Sequence, residues 1–150
     1  MISIVQEAFN PWDVMQAYQQ QMAVRVRRKL GATSVFVGSM RDFNQDDQVD
    51  RMVLEYYPGM TEKQLGMIAA QANEQWSLID SLIMHRVGEV FPTDVLVLVA
   101  VWAAHRADAF EACRFLMEAL KAQAPFWKKE CVTGQQARWV AENTEGYKRH

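Results

Sequence analysis

The most informative segment of the chain is VLVLVAVWAAHRADAFEACRFLMEALKAQAPFWKKE, residues 95–130. Its first ten residues are almost all apolar, which is typical of a strand covered on both faces. A segment with helical periodicity follows, and it ends before Pro125 because the residue that precedes a proline disfavours helical backbone. The stretch therefore predicts a buried strand, then a helix with a sharp end, and two aromatic residues and two lysines directly behind that end.

The helix in this stretch is predicted over about residues 108–123. Asp108, with Glu111 three positions later, suits the start of a helix. Apolar residues then recur at helical spacing, so that one face of the helix is expected to be buried. This predicted stripe consists of Phe110, Cys113, Leu116, Met117 and Leu120.

The first 31 residues are predicted to contain a strand and a helix. MISIVQEAF, residues 1–9, has the pattern of a strand. Asn10 suits the N-cap that follows, Pro11 the first helical position, and Asp13 the positive end of the helix dipole. Apolar residues at fourfold spacing extend this helix to about Leu30, with Gly31 as its stop.

The middle of the chain is predicted to be a hairpin, a helix and a second hairpin. ATSVFVGSMR (residues 32–41) and RMVLEYY (51–57) are strands separated by the polar loop DFNQDDQVD. Thr61, with Gln64 three residues later, has the pattern that opens the next helix. SLIMHRVGEV (81–90) then precedes the buried strand, from which FPTD separates it. This order predicts an α+β fold and a single domain over residues 1–150.

The composition limits the classes of function. The chain has 16 lysines and arginines against 18 aspartates and glutamates. This balance argues against a general nucleic-acid binder, so any basic site must be local. We expect a cytoplasmic protein without a membrane partner, because the sequence shows neither a signal-peptide pattern nor a long apolar run. Two cysteines and three histidines without ligand spacing predict no metal site, and no cofactor is expected.

Several basic residues stand where an anion could bind. His105 and Arg106 lie between the buried strand and the start of the helix, where free backbone N–H groups attract anions. Arg41 closes a strand at a turn, and Lys121 lies on the polar face of the helix, where an ordinary ion-paired face is the simpler interpretation. The dipeptide His85-Arg86 lies within a strand pattern, which favours a structural role for it.

The residues alone give no nucleophile. The sequence has none of the common phosphate-loop, hydrolase or metalloprotease motifs. Cys131 is the one thiol near the lysines of APFWKKE, and a cysteine in such a place is more often incidental than catalytic. For an isolated pattern of this kind, the simplest interpretation is that the aromatic residues pack and the lysines are solvated.

Five motifs, however, resemble the large, catalytic subunit of molybdopterin synthase. They have that family's order and spacing over about residues 31–140: GATSVFVGSMRDFN, LEYYPGMTEKQL, MHRVGEVFPTD, AHRADAFEACRFLMEALKAQAPFWKKE and RWV. The resemblance implies a hammerhead-type α+β fold with antiparallel-rich sheets and about three helices. It also implies a homodimer of large subunits, with a small ubiquitin-like sulfur-carrier subunit docked at each end to give a heterotetramer.

The resemblance implies a sulfurtransferase of molybdenum cofactor biosynthesis. Such an enzyme converts cyclic pyranopterin monophosphate (precursor Z) to molybdopterin. The sulfur arrives as a thiocarboxylate on the C-terminal glycine of the small subunit, whose tail enters a pocket of the large subunit. The attacking sulfur then belongs to the partner, and the large subunit needs only to bind the substrate, balance charge and move protons.

The family's functional residues can be transferred position by position. Its two catalytic lysines correspond to Lys121 and Lys128, so that Pro125 would turn the chain back while Phe126 and Trp127 anchor the turn by burial. Where this chain has Ser39, the family can carry a lysine. The substrate-binding positions correspond to Ser39, Met40, Arg41, His105, Arg106, Lys121, Lys128, Lys129 and Glu130.

Two other functions remain open from the sequence. One is a non-catalytic adaptor that keeps the fold and binds a ubiquitin-like carrier. The other is an enzyme that acts on a different small phosphorylated molecule, since a fold does not fix a function. A complete set of cationic pocket residues argues against the adaptor, because an adaptor has no need of an anion site.

Overall fold

The computed structural model describes residues 1–44 and 47–141. Its helices are α1 (Pro11–Gln21), α2 (Val24–Arg27), α3 (Met60–Gln75) and α4 (Arg106–Gln123). Its strands are β1 (Ile2–Val5), β2 (Ala32–Ser39), β3 (Phe43–Asn44), β4 (Asp47–Tyr56), β5 (Leu78–Arg86), β6 (Gly88–Val90), β7 (Val95–Ala103), β8 (Phe126–Val132) and β9 (Arg138–Trp139). The predicted α+β class with antiparallel-rich sheets is confirmed, and α2 adds a fourth, one-turn helix to the three expected.

The first sheet has the strand order β1-β5-β7-β2, in which β1 runs parallel to β5 and the other pairs are antiparallel. Helices α3 and α4 cover one face, where Val97, Val99 and Val101 of β7 pack under Leu116. Helix α1 covers the other face, which carries Trp102. The near-continuous apolar run of β7 is thus explained, because both of its faces are buried as predicted.

The second sheet contains β3-β4-β8-β9, with β6 paired to β4. Its inner face packs Met52, Leu54, Val90 and Val132 into a separate apolar cluster. Strand β8 was not predicted from the sequence. Its inward positions include a lysine and a glutamate, so the segment lacks the apolar alternation by which a half-buried strand is recognised.

The predicted hairpin between residues 32–41 and 51–57 is wrong. Strand β2 pairs with β7 in the first sheet, while β4 pairs with β3, β6 and β8 in the second. The backbone of Met40 is held at the crossing, donating to the Asp94 carbonyl (2.8 Å) and accepting from the Thr93 N–H (2.9 Å). The polar segment expected to be a loop supplies β3 and the start of β4, and its residues 45–46 lie outside the described part of the chain.

The predicted helix from Pro11 to about Leu30 is interrupted. Asn10 is the N-cap as expected, and its side chain accepts from the Trp12 N–H at 2.9 Å. Helix α1, however, ends at Gln21, and Met22 continues with extended backbone (ψ 137°) so that it can pack against the first sheet. Gly31 is required for close approach rather than as a helix stop, because a Cβ there would overlap the Ala104 carbonyl oxygen.

The starts of the two long helices also differ from prediction. In α3 the Gly59 N–H donates to the Glu62 carboxylate (2.6 Å), so that Thr61 is not the cap residue. Helix α4 begins two residues earlier than expected, with His105 at the N-cap, so Asp108 lies inside its first turn. Phe110, expected in the buried stripe, is 62% exposed. The rest of that stripe is buried, and α4 ends before Pro125 as predicted.

Candidate active site

A cavity of about 400 Å³ lies where the C-terminal end of α4 meets the two sheets. The first sheet contributes the end of β2, one residue of β5 and the start of β7, and the second sheet contributes β4 and β8. Much of the wall is apolar, including three methionines. The lining consists of Phe36, Gly38, Ser39, Met40, Arg41, Val49, Met52, Leu54, His85, Leu96, Val97, Met117, Leu120, Lys121, Ala124, Phe126, Lys128, Glu130 and Val140.

Strand β8 explains the placing of the two adjacent lysines. Side chains alternate across a strand, so Phe126, Lys128 and Glu130 all face the cavity. The same alternation turns Trp127 outward, where it is 47% exposed, and the expectation that its burial anchors the turn is therefore wrong. The turn is tied instead through Pro125, whose carbonyl oxygen accepts from the Thr61 hydroxyl at 3.3 Å.

Lys128 and Lys121 share the cavity, although they come from different elements. Lys121 lies in the last turn of α4, and Lys128 lies opposite Leu54 of β4. Burial lowers the pKa of Lys128, and the nearby charge of Lys121 lowers it further, while Glu130 opposes the shift. A lysine with a lowered pKa gives up its proton more readily near neutral pH, which suits it to proton transfer.

Glu130 is a buried carboxylate in the cavity wall, only 5% exposed. Arg138 of β9 approaches it at 3.5 Å between Nε and Oε2 and also pairs with Asp47 at 2.7 Å. Val140, which follows β9, also lies against this wall, because its N–H donates to the Lys128 carbonyl oxygen at 2.8 Å. These contacts fix the inward face of β8 from the C-terminal side.

The end of β2 contributes the residues at the mouth of the cavity. The register with β7 shifts between Gly38 and Ser39, a bulge of the kind that redirects side chains at the edge of a site. Beyond it, Met40 is buried, while Ser39 and Arg41 are exposed and line the cavity. The predicted group of Ser39, Met40 and Arg41 is thus brought to the two lysines.

Three of the predicted site residues do not line the cavity of their own chain. His105 and Arg106 are exposed at the opposite end of α4, and the fifteen helical steps from Arg106 to Lys121 span about 22 Å. Lys129 lies on the outer face of β8, with its Nζ 5.5 Å from the centre of the Trp139 ring. The anion site inferred from all the basic residues together is therefore not assembled within one chain.

His85, for which the strand pattern favours a structural role, lines the cavity. Its ring stacks on Phe126 with centroids 4.0 Å apart. The structural role expected for the dipeptide is seen at Arg86, whose side chain pairs with Asp94 at 3.0 Å. A polar residue at an inward position of a strand was the available signal, but whether it faces a cavity depends on elements distant in sequence.

Both cysteines lie away from the cavity. Cys113 lies on the buried face of α4, and Cys131 is on the outer face of β8 opposite Arg51. Within residues 1–44 and 47–141, no group of three or more histidine, cysteine, aspartate or glutamate side chains could hold a metal ion. No helix in the same part of the chain is long and apolar enough to cross a membrane.

The fold and the cavity together define an α+β protein that can hold a compact anionic organic molecule between two lysines and an apolar wall. The chain belongs to the MoaE protein family, whose pattern matches residues 4–123. Similar proteins include the molybdopterin synthase catalytic subunit of Ralstonia nicotianae, 54% identical over 114 residues, which are 76% of this chain and 64% of that protein. The chain thus spans less than two thirds of the Ralstonia relative.

Two further comparisons cover more of both chains. The molybdopterin synthase catalytic subunit of Pseudomonas aeruginosa is 46% identical over 139 residues, which are 93% of this chain and 89% of that protein. The solved structure of the molybdopterin biosynthesis MoaE protein from Burkholderia ambifaria is 44% identical and covers 97% of this chain and 92% of its own, with a TM-score of 0.79. The family expected from the motifs is therefore confirmed.

Proposed function

We propose that this chain is the catalytic subunit of a molybdopterin synthase. It converts cyclic pyranopterin monophosphate to molybdopterin, using sulfur from the C-terminal thiocarboxylate of a small ubiquitin-like carrier subunit. The observation that carries the proposal is the pairing of Lys121 with a half-buried Lys128 in one cavity that neither cysteine lines. Such a cavity supplies charge and proton transfer, and the nucleophilic sulfur comes from the partner.

The proposed roles follow from the position of each side chain. Lys128, with its lowered pKa, moves a proton, and Lys121 stabilises negative charge that develops on the substrate. Arg41 at the mouth binds the phosphate, and Ser39 and Met40 shape the entry beside it. Glu130 completes the substrate-binding wall and limits the fall in the pKa of Lys128.

His105 and Arg106 can serve the same cavity only from a second copy of the chain. Within one chain the length of α4 separates them from Lys121. A homodimer, which is part of this proposal, presents the N-terminal end of one α4 to the cavity of the other copy. Lys129 is excluded from direct contact with a ligand in its own cavity by the alternation of β8.

The contribution of Arg106 from one copy to the cavity of the other can be tested separately. Arg106→Ala and Lys121→Ala, each inactive alone, are unfolded together, refolded and assayed. If both copies build each site, half of the dimers are mixed and each mixed dimer has one intact site, so about a quarter of wild-type activity should return. If no activity returns although mixed dimers form, each site belongs to a single chain.

The proposal includes the cellular compartment of the protein and the boundaries of its domain. We infer a cytoplasmic enzyme, because both cysteines are free thiols, as is usual in a reducing compartment. We also infer that residues 1–150 form one catalytic-subunit domain, although the residues beyond 141 lie outside the described part of the chain.

The decisive experiment supplies the purified chain with cyclic pyranopterin monophosphate and the thiocarboxylated carrier, and measures formation of the dithiolene product. Product should form only when the carrier has the thiocarboxylate, and a carrier with a plain carboxylate should bind without giving product. A chain that binds the carrier tightly and yields no product would be an adaptor. A chain that binds neither carrier nor pterin would have a different substrate.

A further inference from the structure

His85 occupies a specific row of the first sheet. Neighbouring strands place Gly38, Val97, His85 and Ile4 side by side in that row. Directly paired residues point to the same face of a sheet, and here it is the face that α4 covers. Gly38 has no side chain, and a Cβ there would lie 2.7 Å from a Val97 methyl carbon. The row is therefore open at Gly38, which is separated from His85 by Val97 alone, and all of the row except Ile4 lines the cavity.

The orientation of the His85 ring is fixed by two contacts. Its Nδ1 lies 2.7 Å from the Arg86 carbonyl oxygen, and since a carbonyl only accepts, Nδ1 carries the proton. Phe126 lies parallel against the ring, with an interplanar angle of 16°. The backbone that supplies the carbonyl is itself held, because the Arg86 side chain pairs with Asp94 and donates to the Glu89 carbonyl. Nε2 is therefore the ring nitrogen that can accept a hydrogen bond.

Burial, with a smaller contribution from a nearby charge, keeps this ring neutral. Burial lowers the pKa of His85 to about 4, and the charge of Lys128 contributes to the shift. Around the cavity, Arg41 and the charged forms of Lys121 and Lys128 are donors without any capacity to accept. The carboxylate of Glu130 is already approached by Arg138. A neutral acceptor among cations is thus a distinct binding element, complementary to a donor N–H or O–H rather than to an anion.

We propose that His85 is a substrate-binding residue whose Nε2 accepts a hydrogen bond from an N–H or O–H of the organic part of the substrate, while the cationic side chains bind its phosphate. The inference rests on the proposed function, since a pterin ring system has N–H donors that Nε2 can accept from. Inorganic phosphate binds through the cationic side chains and does not need the contact with His85. His85 would then distinguish a phosphorylated heterocycle from other small phosphates, a selectivity that the cations alone cannot supply.

Two variants separate this role from a structural one. His85→Phe keeps an aromatic ring against Phe126 but has no acceptor, whereas His85→Gln retains an acceptor near the position of Nε2. Calorimetry measures the Kd of each protein for cyclic pyranopterin monophosphate and, separately, for inorganic phosphate. We expect His85→Phe to bind the pterin phosphate about tenfold more weakly, His85→Gln to stay within about threefold of wild type, and phosphate binding to be unchanged in both.

The outcomes are distinct. Equal loss for pterin phosphate and phosphate in His85→Phe would mean that the ring acts through the lysines, and unchanged pterin affinity would mean that Nε2 makes no contact; either result overturns the inference alone. Wild-type protein that fails to bind the pterin phosphate overturns the proposed function as well.

A measurement on wild-type protein covers the case in which His85→Phe does not fold. In protein with ¹⁵N-labelled histidine, the ring signals of His85 are assigned by their loss in His85→Gln. We expect the tautomer with the proton on Nδ1, and an upfield change of the Nε2 signal when pterin phosphate is added but not when inorganic phosphate is added. A proton on Nε2, or an identical response to both ligands, would contradict the proposal.

Discussion

Replacing Lys128 by methionine should abolish most activity while making the folded protein more stable at neutral pH. Methionine has nearly the length of lysine, so the cavity wall keeps its volume. General acid–base catalysis by a positioned side chain contributes about 10²–10⁴-fold. We expect turnover to fall by that factor, which corresponds to roughly 3–5 kcal/mol in the activation free energy. Lys121 should not substitute, because it is anchored on α4 rather than on β8.

The gain in stability follows from the direction of the pKa shift. The pKa of Lys128 is lowered in the folded protein, first by burial and then by Lys121, so the unfolded chain binds the proton more tightly. This residue therefore destabilises the fold at neutral pH, and the penalty disappears as the pH rises through the lowered pKa toward 10.5. Lys128→Met removes the penalty, and its urea midpoint at pH 7 should exceed that of wild type.

Lys129→Met is the matched control, because the adjacent lysine has the same chemistry and faces outward. The assay is dithiolene formation with saturating carrier and pterin, and the stability measurement is urea unfolding at pH 7 and pH 9.5. Near-wild-type turnover in Lys128→Met would refute the role in proton transfer. An equal loss of turnover in Lys129→Met would show that activity depends on the total positive charge of β8 and not on a lysine side chain that faces the cavity.

Three further outcomes are expected. Lys121→Ala should lose activity on a scale similar to Lys128→Met, and the double variant should cost much less than the product of the two losses if the lysines act as a unit, as measured by turnover. Arg41→Ala should weaken phosphate binding by roughly 1.5–3 kcal/mol in calorimetry, with an unchanged affinity placing the phosphate elsewhere. Because the pKa of His85 is about 4 in the folded protein against 6.5 ordinarily, the unfolded chain binds more protons between these values, and stability should fall as the pH drops from 6.5 to 4. His85→Gln should lack this part of the acid sensitivity in urea titrations, and an identical pH profile would show that His85 does not titrate there.

The placing of the candidate site was only partly predictable. The motifs identified Lys121 and Lys128, and the structure brings them into one cavity with Arg41. His105 and Arg106 share the basic character of that group, yet the rigid length of α4 keeps them from it in one chain. The strand pattern around His85 predicts a structural role, so the sequence did not indicate that this residue lines the cavity.

The features that could be predicted from the sequence are those that depend on neighbours along the chain. The cap at Asn10, the end of α4 before Pro125 and the burial of β7 each follow from a few consecutive residues, through backbone geometry or hydrophobic periodicity. The motifs likewise sufficed for the family, since they are read in order along the chain.

The pairing of the strands, by contrast, could not be predicted from the sequence and is known from the tertiary structure. Strand β2 joins β7 rather than the nearer β4, and β8 forms although its inward face includes Lys128 and Glu130. Pairing partners are chosen by the burial of whole faces against distant elements, and that free energy is not contained in any local window. The cavity exists because these long-range pairings bring the end of α4 to the inner face of β8, where alternation selects Lys128 over Lys129.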